Sequence, residues 1–145
     1  MINQALLNPE SIAVVGGSSN LHKPGGSILR NIIAGGYKGK LYAVNPKDKD
    51  VQGVMTFAHV SDLPVVDLAI LAIPAMQCPE AVKILCNKKN TRAFIILSAG
   101  FSEDNEAGHK LEDEVVSLVN AAGACLIGPN CIGVITPVYN GVFTV

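Results

Sequence analysis

The sequence predicts a doubly wound α/β fold, Rossmann-like in plan, with a mainly parallel sheet and helices on both faces. Three observations carry that prediction. Short apolar runs alternate with segments of helical periodicity along all 145 residues. Most runs end in glycine, proline or asparagine, residues that interrupt regular structure and turn the chain. With 49% hydrophobic and only 16% charged residues, the chain also has little polar surface with which to leave a sheet face open. Strands alternating with helices of this length pair in parallel through right-handed crossovers, which sets helices on both sides. One domain spanning residues 1–145 is sufficient at this length.

Each element follows from local chemistry. Residues 11–15 (SIAVV) form the first strand and stop at Gly16-Gly17. Ile28, Leu29, Ile32 and Ile33 then recur at helical spacing, with Pro24 near the start and Gly35-Gly36 as the stop. Residues 41–44 are the next strand, closed by Asn45-Pro46, and residues 54–57 a short, weak one before the turn Asp62-Leu63-Pro64. Residues 67–73 (DLAILAI) are continuously apolar after the aspartate, as a strand buried on both faces requires. Pro79 suits a helix start, and Val82, Leu85 and Cys86 make the apolar stripe that follows. Residues 94–97 form another strand, ending in Ser98-Ala99-Gly100. The longest helix carries Leu111, Val115, Leu118, Val119 and Ala122 on one face. Glu103, Asp104 and Glu106 lie at its positive end, and Gly123 follows its last turn. Residues 125–127 are a last buried strand leading into Gly128-Pro129-Asn130-Cys131, and no further helix is expected after Gly133.

Composition excludes several function classes. A net charge of −1 gives no support for nucleic-acid or membrane-surface binding. No apolar run approaches the ~18–20 residues of a spanning helix. The start, MINQALLNPESIAVV, has no basic region followed by an apolar core and cleavage site. Cys78, Cys86, Cys125 and Cys131 form no C-x-x-C pair, and His22, His59 and His109 have no spacing suited to a shared metal. Reduced thiols in a cytoplasm are expected, with no metal site.

In such sheets ligands bind beyond the carboxyl ends of the strands, where the strand order reverses. The loops to inspect are therefore residues 16–23, 45–49, 74–76, 98–101 and 128–132. The first carries Gly16, Gly17, Gly25 and Gly26 around Ser18, Ser19 and Asn20. Glycines let backbone N–H groups approach an anion, and serine hydroxyls add donors; a plain strand-to-helix turn would use the same residues. Neither the G-x-G-x-x-G dinucleotide spacing nor the lysine-terminated P-loop is present. The second loop, Asn45-Pro46-Lys47-Asp48-Lys49, lacks the acid that binds the ribose hydroxyls of NAD. It places Lys47 where a ribose phosphate would be welcome, which leaves NADP or coenzyme A; Lys49 reads as a solvated charge. Ile73-Pro74-Ala75 and Ser98-Ala99-Gly100 are small and apolar, and suit a wall along which a long, mostly uncharged ligand lies. Ser98 has no nearby His–Asp constellation to activate it, which argues against a hydrolase reading. Cys131, between glycines after a strand end, reads equally as a structural or a functional thiol, whereas Cys78 sits near a helix start and Cys86 and Cys125 fit helix and strand core positions.

The segments GGSSNLHKPGGSILRN, GYKGKLYAVNPK, DLAILAIPA, IILSAGF and LIGPNCIGVITP occur in one order. Together they closely resemble the N-terminal coenzyme A (CoA)-binding domain of NDP-forming acyl-CoA synthetases, roughly over residues 7–137. That group includes the ADP-forming acetyl-CoA synthetases, and its wider superfamily the α subunit of succinyl-CoA synthetase. The LIGPNC-x-G-V-I-T-P stretch is the most specific element and GGSSN the least. The resemblance implies an acid–thiol ligase that interconverts acyl-CoA, ADP and phosphate with carboxylate, CoA and ATP. Acyl phosphate forms first, a histidine takes the phosphoryl group, and an ATP-grasp domain passes it to ADP. This domain would hold CoA as substrate, with Gly17, Ser18, Ser19, Asn20 and Lys23 about its phosphates or pantetheine. Lys47 would meet the ribose phosphate, and Asn45 and Pro46 would shape the adenine pocket. Ile73, Pro74, Ser98, Ala99 and Gly100 would border the ligand, and Asn130 and Cys131 would lie near the reacting acyl end.

No catalytic residue is expected in this chain. None of its three histidines has the context of the phosphorylated one, and the ATP-grasp domain, with its ATP or ADP and Mg, is missing. The chain reads as a fragment of a longer synthetase whose ligase-type and ATP-grasp domains follow or belong to a second subunit. Two rivals are a free-standing CoA-binding regulatory protein, which would not need the GPNC loop, and an NAD(P)-binding domain of a dehydrogenase or redox sensor.

Overall fold

The computed structural model describes residues 2–101 and 105–143. Its first element, α1 (Gln4–Leu7), is a single turn that the sequence pattern does not announce. The Asn3 side chain caps it, accepting from the Leu6 N–H at 3.0 Å. Six strands follow: β1 (Ser11–Val15), β2 (Lys40–Val44), β3 (Met55–Phe57), β4 (Leu68–Leu71), β5 (Ala93–Ile96) and β6 (Cys125–Ile127). They form one sheet in the order β3-β2-β1-β4-β5-β6, with every neighbouring pair parallel. The order reverses between β1 and β4, where Val15 lies opposite Leu71. The doubly wound, Rossmann-like fold is therefore the observed one.

Alternation along the strands sorts side chains to two faces. Ala13, Val15, Ala69, Leu71, Phe94 and Ile96 meet Val82 and Leu85 of α3 (Cys78–Lys88) and Val115 and Val119 of α4 (Glu106–Ala121). Ile12, Val14, Leu68 and Ile70 instead meet Ile28, Leu29 and Ile32 of α2 (Pro24–Ala34). Residues of β4 are fully buried, as a strand covered on both faces must be. That strand is shorter than the apolar run. At one end Asp67 gives its N–H to the Ser11 hydroxyl at 2.9 Å, and at the other the Ile73 carbonyl accepts from the Ser98 hydroxyl.

Other expectations are adjusted at their edges. Ile33 is 42% exposed, so the buried stripe of α2 is confined to Ile28, Leu29 and Ile32. In α4 the fully buried apolar positions are Val115 and Val119, with Leu111, Leu118 and Ala122 partly covered beside them. Asn105 caps that helix through its side chain and Glu106 sits in the first turn, while Glu103 and Asp104 lie outside the described residues.

The last segment has no helix among its described residues, as expected, and forms a hairpin. β7 (Gly133–Ile135) and β8 (Asn140–Val142) pair antiparallel, and the Asn31 side chain of α2 donates to the Val142 carbonyl at 2.6 Å. Tyr139, between the strands, is buried with Ala93, Ile95, Cys125 and Leu6, and its hydroxyl donates to the Leu6 carbonyl at 2.7 Å. The 11-residue α2 alone cannot cover this face of six strands, and α1 with the hairpin completes it.

Two buried acids, Cys78 and Tyr139, and the half-buried Tyr37 give the fold an alkaline limit. Burial raises the Cys78 thiol to about 11. Burial, then the charges of Asp67 and Glu10, raise the Tyr37 phenol to about 12. Burial raises Tyr139 further still. Above the ordinary values of 9 and 10 the unfolded chain releases protons that the folded chain retains, so stability falls as pH rises. The urea midpoint is expected to decline from pH 9 through 12, and Tyr139→Phe to flatten the part above pH 10.

Candidate functional site

Because all six strands run in parallel, the loops after β1, β2, β4, β5 and β6 gather along one sheet edge. At the switch between β1 and β4, Gly16 turns the chain with φ +89°, a conformation that excludes ordinary side chains, and donates to the Val44 carbonyl at 2.9 Å. Gly25 and Gly26 serve a different need. A Cβ on Gly25 would overlap the Gly16 carbonyl, and one on Gly26 the Asn20 carbonyl, so their absence lets the first turn of α2 press directly on the loop. Within the loop the Ser18 hydroxyl accepts from the Asn20 N–H at 3.0 Å, and the Asn20 carbonyl oxygen of the side chain accepts from the His22 N–H at 3.0 Å. Ser19, Asn20 and Lys23 are exposed, while Gly17 is buried.

The second loop is tied to the first. The Asn45 amide donates to the Gly17 carbonyl at 3.1 Å, and its oxygen accepts from the N–H groups of Lys47 at 2.8 Å and Asp48 at 2.9 Å. Asn45 thus shapes backbone with its whole side chain. Pro46 and Lys47 stand exposed beyond it.

A cavity of about 450 Å3 opens beside these loops on the α3 side of the sheet. Val15, Gly16, Val44, Pro46 and Ile73 line it, and so do Ala58, His59 and Val60 after β3 and Met76, Gln77, Glu80, Ala81 and Ile84 at the start of α3. Of the predicted site residues it takes Pro46 and Ile73. Ser98, Ala99, Gly100, Asn130 and Cys131 do not line it, nor do Ser18, Ser19, Asn20, Lys23, Asn45, Lys47 and Pro74. The wall from α3 and the segment after β3 was missed. Residues 58–60 follow a strand end like the inspected loops, and that position was the available signal.

The remaining loops are joined by backbone. The Ser98 hydroxyl donates to the Ile73 carbonyl, and the Asn130 N–H donates to the Ser98 carbonyl at 3.0 Å. The half-buried Cys131 turns its thiol inward, to the Ile96 carbonyl at 3.3 Å, and burial raises its pKa. A thiol whose pKa is raised is held more firmly in its protonated form than a free cysteine. Cys78, also raised, points its thiol at the Pro74 carbonyl, 3.7 Å away. Among the described residues no group of three or more His, Cys, Asp or Glu could hold a metal ion, and no helix is long and apolar enough to cross a membrane.

Residues 10–137 match the family described as CoA binding domain. The chain belongs to this family. Its relatives are larger than it is. The ADP-forming acetate–CoA ligase I of Archaeoglobus fulgidus is 38% identical over 91% of this chain, which spans 19% of that protein. The α subunit of the ADP-forming acetate–CoA ligase II of Pyrococcus furiosus is 37% identical over 88% of the chain, which spans 28% of that subunit. Among solved structures, the apo dinucleotide-forming acetyl-coenzyme A synthetase 1 of Ca. Korarchaeum cryptofilum superposes with a TM-score of 0.87 at 34% identity. That likeness covers 97% of this chain and 31% of the other. The family match ends at residue 137, between the two strands of the hairpin, so this CoA-binding domain carries most of its fold and all of the predicted site residues inside the matched span.

Proposed function

We propose that this chain is the CoA-holding module of an NDP-forming acyl-CoA synthetase. The whole enzyme would interconvert acyl-CoA, ADP and phosphate with carboxylate, CoA and ATP. The phosphohistidine and the ATP-grasp and ligase-type domains would be supplied from outside these residues, in the same chain or in a second subunit. A cytoplasmic setting belongs to the same proposal, supported by four free cysteines.

The carrying observation is the chemistry at the end of β2. Where an NAD site has a ribose-binding carboxylate, Asn45 uses both ends of its amide on Gly17, Lys47 and Asp48, and an exposed cation, Lys47, follows two residues later. That exchange fits a ribose carrying a phosphate. The apolar cavity walled by Val44, Ile73 and Pro46, the residue before that cation, fits a purine base. The glycine cradle beside the start of α2 fits a diphosphate, whose charge a helix N-terminus favours. Ser98, Ala99, Gly100, Asn130 and Cys131 continue the same edge and would border the pantetheine arm. In this module Gly17, Ser18, Ser19, Asn20 and Lys23 bind, and Asn45 orients; none moves a proton.

Thermal shifts with CoA, dephospho-CoA, NADPH and NADH test the reading. CoA is expected to stabilise by on the order of 2.7 kcal/mol at a hundredfold excess over Kd. Dephospho-CoA should stabilise less, and Lys47→Ala should close the gap between the two. Stabilisation by NADPH without CoA would assign the site to the dinucleotide. Equal responses to CoA and dephospho-CoA in the wild type would remove the role of Lys47.

A further inference from the structure

Gln52 lies outside the glycine-rich loop yet bonds both to it and to the start of α2. It occupies the tight turn from Val51 to Val54, where the Val54 N–H donates to the Val51 carbonyl at 3.1 Å. Gln52 has φ +52° and Gly53 φ +78°, both left-handed. Turns with two left-handed centres favour asparagine, aspartate or glycine at the first, because those residues tolerate the conformation or bond locally. Glutamine has neither advantage. A residue held there against its preference points to an interaction made elsewhere.

That interaction is visible. Gln52 Nε2 donates to the Ser18 carbonyl at 2.7 Å and to the Gly26 carbonyl at 2.9 Å, so both protons of the amide are engaged. Ser18 belongs to the loop and Gly26 to the first turn of α2, and the two meet only because Gly26 has no Cβ. The turn that presents Gln52 is itself anchored. Val51 is fully buried, and the Gly53 N–H donates to the Asp50 carboxylate at 3.1 Å. An asparagine, one methylene shorter, would suit the turn and lose the reach.

We propose that Gln52 is a positioning residue for the diphosphate-binding loop, clamping residues 16–20 to the start of α2 in the geometry that receives the ligand. The proposal rests on the reading of this edge as a CoA site. It predicts that donation, not bulk, is the property required at position 52. Gln52→Met keeps the length and removes the donor; Gln52→Lys keeps a donor, on a flexible stem one atom longer.

Two measurements decide it. In ligand-free protein, amide exchange over residues 16–27 should accelerate roughly tenfold in Gln52→Met and return to the wild-type rate in Gln52→Lys. By calorimetry, Gln52→Met should weaken CoA roughly tenfold but adenosine 3′,5′-bisphosphate, which lacks the diphosphate, by less than about threefold. Gln52→Lys should restore CoA. Unchanged exchange in Gln52→Met, equal losses for both ligands, or a lysine variant no better than methionine would each overturn the clamp. A wild-type protein that binds no CoA would overturn the functional reading instead, and the exchange measurement would still judge the clamp.

Discussion

Gly25→Ala is expected to destabilise the protein by about 1–3 kcal/mol and to abolish CoA binding. The sign is the informative part. Gly25 lies in the first turn of α2, where alanine normally gains about 0.5–1 kcal/mol over glycine. Here a Cβ would overlap the Gly16 carbonyl, and the next nearest group is the Ala72 side chain, so no flexible neighbour is available to move aside. Either α2 lifts from the sheet, uncovering Ile28, Leu29 and Ile32, or the loop at Gly16 shifts out of the geometry proposed to receive the diphosphate. Urea denaturation and CoA calorimetry on the same variant measure both consequences. Arg30→Ala, an exposed position of the same helix, should stay within about 0.5 kcal/mol. A Gly25→Ala protein more stable than the wild type would mean that the loop and helix are not in contact.

Tyr139→Ala is expected to cost about 3–5 kcal/mol, the range for deleting a large buried aromatic. Tyr139 is 2% exposed, and its hydroxyl reaches the Leu6 carbonyl across 133 positions of sequence. Removing the ring leaves a cavity between α1, β5 and the hairpin. Removing only the hydroxyl, in Tyr139→Phe, leaves the Leu6 carbonyl unpaired and should cost about 1 kcal/mol. Denaturation midpoints separate the two, and amide exchange in β7 and β8 should rise in the alanine variant first. CoA affinity in Tyr139→Phe should be unchanged, because the hairpin lies off the cavity. Equal stability of the alanine variant and the wild type would mean that the hairpin does not close this face.

These two residues mark the division between what was readable and what was not. Gly25 and its neighbours were legible as a glycine-rich turn after an apolar strand, and the following helix was legible from Ile28, Leu29 and Ile32. Ile33 misled because periodicity places a residue near a face without setting how wide the buried face is. Lys47 was legible as a cation in place of a carboxylate. The work of Asn45 was not, because its three bonds join backbone groups from two loops. Gln52 was invisible for the same reason. A glutamine in a polar stretch has no periodic or compositional signature, and its partners lie 34 and 26 positions away.

By itself the sequence determined the layered α/β architecture, since strand and helix periods are local properties that burial on two faces makes unambiguous. It also indicated which edge of the sheet carries the candidate site, since parallel strands put every following loop on one side. Tertiary structure alone decided how the second face is closed, by α1 and a hairpin built from segments at opposite ends of the described chain. It decided too which loop residues face the cavity and which are tied to backbone, because that depends on contacts between segments far apart in sequence. Such contacts leave no trace in local pattern, and chain folding creates them.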